Sequence, residues 1–124
     1  MGRIIVGIIA GIVSWMVIAT VLNLVMRFGW PAYALVERTY DWSLGMQVGR
    51  LIVGALSSMG AGYIATRIAP ASRSALWAGI ILLLMFLPVH YMEFAKMPLW
   101  YHAFFLLTLV PFVLLGQRLA RRTT

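Results

Sequence analysis

The sequence predicts an all-α integral membrane protein, a four-helix bundle with a short interfacial helix in its first outer loop. Three observations predict it. Of the 124 residues 63% are hydrophobic and only 10% charged, too little charge to cover the surface of a water-soluble domain of this size. Four apolar runs occupy most of the length, each near the ~20 residues that cross a hydrocarbon core. The basic residues stand at the ends of those runs, where they orient a membrane protein. We place the spans at about 4–26, 43–66, 75–91 and 99–115 and read residues 1–124 as one transmembrane domain.

Charge and composition exclude several classes. The net charge is +7, but the basic residues form no stripe interleaved with aromatics, so nucleic acid is not the expected partner. The chain contains no cysteine. Disulfides, thiol redox chemistry and iron–sulfur clusters are therefore excluded. The first apolar run is longer than a signal-peptide core and lacks an Ala-x-Ala site after it, so it is expected to stay in the chain.

Span one lies between Arg3 and Arg27 and carries a GxxxG at Gly7 and Gly11. Small residues so spaced allow close helix approach. Asn23, near the outer end, is its most costly polar residue. The loop that follows holds Phe28, Trp30, Tyr33, Tyr40 and Trp42, rings expected at the headgroup level. Pro31 suits the first position of a short helix over PAYALVERTY, expected to lie along the interface. A lid over a cavity between the spans is the alternative.

Span two, from Ser43, is the stretch around which the rest is expected to pack. Gly45 and Gly49 are spaced by four, as are Gly54, Ser58 and Gly62. Residues four apart share a helix face, so these form a ridge of small residues. Arg50 precedes Gly54 by four and points along the same ridge, with Gln47 on a nearby part of the surface. Its Cα lies about 10 Å from the start of the helix at 1.5 Å per residue. Intramembrane arginines are functional candidates, and a structural ion pair with Glu93 is the competing role.

The second loop, RIAPASRS, is short enough to make spans two and three antiparallel neighbours. Span three is uniformly apolar until Pro88, after which come His90, Tyr91 and Glu93. Span four begins near His102 and ends in Gln117, Arg118, Arg121 and Arg122. No internal repeat is visible.

With four spans, Arg3, Arg67, Arg73, Arg118, Arg121 and Arg122 share one side with no acid. Arg27, Arg38 and Lys96 share the other with Glu37, Asp41 and Glu93. The first side is then cytoplasmic, with both termini inside and a bacterial inner membrane as the expected location. This orientation brings Asn23, Gln47, Arg50, His90, Glu93 and His102 to the outer half.

Three functions compete for that cluster. The favoured one is an accessory or structural subunit that packs laterally against a membrane-protein partner or a second copy. The second is a small oligomeric transporter or channel that binds an ion, proton or anionic substrate through Arg50, Gln47, Asn23 and Glu93, with His90 and His102 nearby. The third is a metal or haem site: two imidazoles and a carboxylate from His90, Glu93 and His102 suit zinc or iron. No nucleophile–base pair is apparent, so catalysis is not expected.

Overall fold

The computed structural model describes residues 2–39 and 41–122. Tyr40, one of the loop aromatics and part of the expected short helix, lies outside the described residues. The elements are all helical: α1 (Gly2–Gly29), α2 (Pro31–Val36), α3 (Leu44–Ile68), α4 (Ser74–Met92), a single 3-10 turn (Phe94–Lys96) and α5 (Leu99–Arg122). Four of them, α1, α3, α4 and α5, are long and apolar enough to cross a membrane. α1 overruns its expected span by two residues at the start and three at the end, and α5 by seven at its end, because arginine-bearing ends continue the helix; α3 and α4 match theirs to within two residues at either end. α4 runs on through Pro88 to Met92.

The ends of α3 are chosen by local chemistry. The Ser43 hydroxyl accepts the Met46 N–H at 3.3 Å, satisfying one of the donors a helix start leaves open. At the far end Ala69 N–H still reaches Ala65 C=O at 3.0 Å, and Pro70 follows.

α3 is the centre of the packing, and its small residues explain why. On one face, a Cβ on Gly11 would lie 2.9 Å from the Ala61 carbonyl oxygen, and one on Gly7 3.1 Å from that of Ala65. The GxxxG of α1 is thus spent inside the bundle. On another face the crossing with α5 is tighter. A Cβ on Gly62 would run into the Val113 carbonyl, and one on Gly116 into the Met59 carbonyl. Only hydrogen atoms fit where these two backbones meet.

Not every member of the expected ridge takes a helix. Gly45 and Gly49 face the Trp30 ring and the Met26 side chain, and Gly54 faces the Phe105 ring. Side chains rather than backbones fill these positions. Ser58 combines two roles. Its hydroxyl donates to Gly54 C=O at 2.7 Å and accepts Trp15 Nε1–H at 3.0 Å.

The two ends of the bundle differ in chemistry. At one, Arg3 Nε donates to Ile68 C=O and Arg121 Nη2 to Pro70 C=O at 3.4 Å. The start of α1, the α3–α4 turn and the end of α5 therefore lie together. The opposite end gathers Asn23, Arg27, Glu37 and Arg50. Between them the outer surface is apolar, with Val6, Ile9 and Val17 of α1 more than half exposed.

Candidate functional site: a polar cavity at one end of the bundle

The site begins with the way α2 folds. Pro31 opens the helix, and the Trp30 carbonyl accepts the N–H of Tyr33 at 3.0 Å and of Ala34 at 3.1 Å. This turn drives Tyr33 inward. It is fully buried, and Trp42 nearly so. The loop expected to lie flat along the interface instead folds over the bundle end, in the manner of the lid alternative. Phe28 and Leu35 do remain outside. The physical reason is that Tyr33 finds both an apolar socket and hydrogen-bond partners there.

Those partners form a chain across three helices. Arg50 Nη1 donates to Asn23 Oδ1 at 2.8 Å and to the Tyr33 hydroxyl at 3.1 Å. The Tyr33 hydroxyl in turn donates to Asn23 Oδ1 at 2.8 Å. Asn23 Nδ2 donates to Glu37 Oε2 at 2.6 Å. Arg27 closes the chain with a two-pronged ion pair to Glu37, Nε at 2.7 Å and Nη2 at 3.0 Å. One amide thus uses its oxygen toward a cation and its nitrogen toward a carboxylate. The hydrogen bonds from Arg27 hold the Glu37 carboxyl below the usual carboxylate range. Burial pushes the Tyr33 phenol up against the opposing pull of Arg50, so it stays a neutral donor.

The guanidinium of Arg50 also lies over the Trp42 ring, 4.9 Å from its centroid, a cation–π distance. Its hydrogen bonds to Asn23 and Tyr33 are both to neutral oxygens. Glu93, expected as its ionic partner, lines the same cavity. That cavity has a volume of about 270 Å³ and is also lined by Asn23, His90 and Tyr101, with Trp15, Phe86 and Phe105 as apolar wall. A second, outer recess of about 310 Å³ lies against Arg27, Glu37 and Arg38. Arg50 and Trp42 line both, so they form the partition between them.

Of the residues singled out by sequence, Asn23, Arg50, His90 and Glu93 come together on the cavity wall. Gln47 does not. Its amide reaches back to the Trp42 carbonyl at 3.2 Å and steadies the loop. His102 is buried and meets His90, Nδ1 to Nδ1 at 2.6 Å.

The expected metal trio is not formed. Among the described residues no group of three His, Asp or Glu side chains stands at metal-binding spacing. A zinc ion held at ~2.0–2.1 Å by both nitrogens would keep them roughly 3 Å apart, and opposed haem ligands would stand farther still. At 2.6 Å the two rings share a hydrogen instead.

Sequence reasoning missed Tyr33, Trp42, Tyr101 and Glu37 as members of the site. The rings of Tyr33 and Trp42 and the charge of Glu37 suit the membrane interface, and Tyr101 is not singled out by any motif. The only local signal was Pro31, which turns the chain back after α1 and so brings Glu37 to Arg27. Comparison with protein-family models, with curated proteins and with solved structures returned no match.

Proposed function

We propose that this is an integral membrane protein that takes a small anionic group into the polar cavity, with Arg50 as its anchor. The carrying observation is the state of that arginine: a guanidinium in the wall of a cavity, hydrogen bonded to Asn23 and Tyr33 rather than closed off in a two-pronged carboxylate pair. Guanidinium presents five N–H donors in a planar fork that matches carboxylate and phosphate oxygens. Arg27, by contrast, is already committed to Glu37. The outer recess between Arg27, Arg38 and the Arg50–Trp42 partition supplies a basic approach. This makes a small transporter or anion-binding component the reading best supported by the geometry.

The membrane setting belongs to the same proposal. The end carrying Arg3, Arg67, Arg73, Arg118, Arg121 and Arg122 faces the cytoplasm by the positive-inside rule, and the cavity end faces outward. A bacterial inner membrane suits this arrangement.

The test is anion binding by the full chain in lipid nanodiscs, read by isothermal titration with short mono- and dicarboxylates and with inorganic phosphate. We expect saturable binding of one of these, weakened at least tenfold in Arg50→Gln and not restored by Arg50→Lys. Equal titration curves for wild type and Arg50→Gln would overturn the reading.

An accessory subunit acting by lateral contact is the second reading. It draws on the exposed Val and Ile face of α1. Gly7 and Gly11 are already covered by α3 and offer no close-packing surface to a partner. The native mass in mild detergent, with co-migrating chains identified, separates the two.

A further inference from the structure

On the outer flank of the bundle, α4 and α5 leave an apolar groove of about 700 Å³ between them. We infer that this groove binds a neutral, membrane-soluble molecule of the quinone class, with a ring oxygen hydrogen bonded to His102. The inference rests on the membrane setting proposed above and not on the anion role of Arg50.

The first support is an unmet hydrogen bond. His102 lines the groove yet is only 3% exposed, and its Nε2 has no hydrogen-bond partner among the described residues. A buried polar nitrogen left without a partner is costly, and a ligand oxygen removes that cost. The second is the wall. Leu84, Leu87 and Leu106 line the groove, and no charged side chain does. A fatty acid or phospholipid headgroup would bring a negative charge to a place without a cation. A quinone brings oxygens, a flat ring and an apolar tail, all uncharged. The volume falls in the range of small-molecule sites. The third is a flat surface: the Phe94 ring stacks on His102 at 5.6 Å and 17°, and is itself more than half exposed. A planar ring finds a stacking partner there.

His90 makes the polar end adaptable. The 2.6 Å contact between the two Nδ1 atoms needs one hydrogen, and neutral imidazole carries its single hydrogen on either nitrogen. When His90 Nδ1–H donates, His102 carries its hydrogen on Nε2 and donates to a quinone carbonyl. When His102 Nδ1–H donates, its Nε2 is bare and accepts a quinol hydroxyl. The pair therefore fits both forms of the ligand. His90 also lines the polar cavity, so the two sites touch through one imidazole.

The experiment uses the full chain in lipid nanodiscs with ¹⁵N-labelled histidine, titrated with decylubiquinone. We expect a saturable shift of the His102 ring nitrogens in the wild type. In equilibrium dialysis His102→Phe should bind about tenfold more weakly, while Arg50→Gln binds decylubiquinone as the wild type does. Non-saturable uptake equal to that of empty nanodiscs would overturn the inference, as would unmoved His102 nitrogens or equal affinity in a folded His102→Phe. The wild-type titration decides the matter by itself if that variant does not fold. Absence of anion binding to the wild type, with saturable quinone binding retained, would separate failure of the Arg50 reading from failure of this one.

Discussion

Asn23 Oδ1 lies 2.8 Å from Arg50 Nη1, and through that contact a cation on α3 is suspended from an amide on α1. The same amide reaches Glu37 through its nitrogen. Asn23 is thus the joint between the arginine in the cavity wall and the ion pair at the rim. Truncating it to alanine removes an acceptor from a partly buried guanidinium, which costs about 1–3 kcal/mol. A double-mutant cycle of Asn23→Ala with Arg50→Met, measured by reversible unfolding in mixed micelles, should show a coupling of roughly 0.5–2 kcal/mol. Strict additivity would mean that the contact does not contribute.

The glycines of α3 and α5 should separate sharply. At Gly62 an added methyl meets the Val113 carbonyl, and at Gly116 the Met59 carbonyl. Neither backbone can yield without moving a helix. Gly62→Ala and Gly116→Ala should each destabilise by about 1–3 kcal/mol or more, as overpacking does. At Gly45 the nearest atom to a new Cβ is the Trp30 ring at 3.6 Å, an ordinary contact. Gly45→Ala should be neutral or slightly stabilising through helix propensity. Unfolding midpoints in denaturing detergent would rank the three.

Glu37 should make the rim acid-sensitive. Its folded-state pKa is lowered, first by the hydrogen bonds from Arg27. A carboxyl with a depressed folded pKa adds stability that is present above its unfolded value of about 4.3 and fades as pH falls through the folded value. Stability measured from pH 6 down to pH 3 should therefore drop, and Glu37→Gln should flatten the part of the drop below about pH 4.3. An unchanged acid limb in that variant would assign the sensitivity to other groups.

Ser58 offers a smaller, cleaner test. Its hydroxyl accepts Trp15 Nε1–H at 3.0 Å in a buried setting. Ser58→Ala leaves the indole donor without that acceptor and should cost about 1 kcal/mol. The emission of Trp15 should also shift to shorter wavelength, a change that Trp15→Phe abolishes.

The helices were legible in the sequence because each depends on a local property. Length and apolar content mark a segment that must satisfy its backbone internally, and these are countable residue by residue. The small-residue spacings of α1 and α3 were legible for the same reason, since a four-residue interval is a face. The partner of each glycine was not. Gly62 meets a backbone and Gly49 a methionine, and nothing at either position in the chain tells them apart.

The candidate site was legible only in part. Arg50, Asn23 and Glu93 stand out as polar residues in apolar surroundings, and orientation alone sends them to one end. Tyr33 and Trp42 do not stand out, because an aromatic ring suits an interface and a core equally well. Likewise His90 and His102 flank a short connection, which brings them near. That their Nδ1 atoms stand 2.6 Å apart is a tertiary fact that no position in the chain announces.

The sequence by itself determined that the chain is all helical, that four helices are long and apolar enough to cross a membrane, and which ends are basic. These follow from composition and period. The tertiary structure alone decided that α2 turns inward, that Asn23 bridges Arg50 and Glu37, and that α3 and α5 touch backbone to backbone. Each of these is a long-range steric or hydrogen-bond match, and such matches exist only when helices distant in sequence take up one crossing geometry.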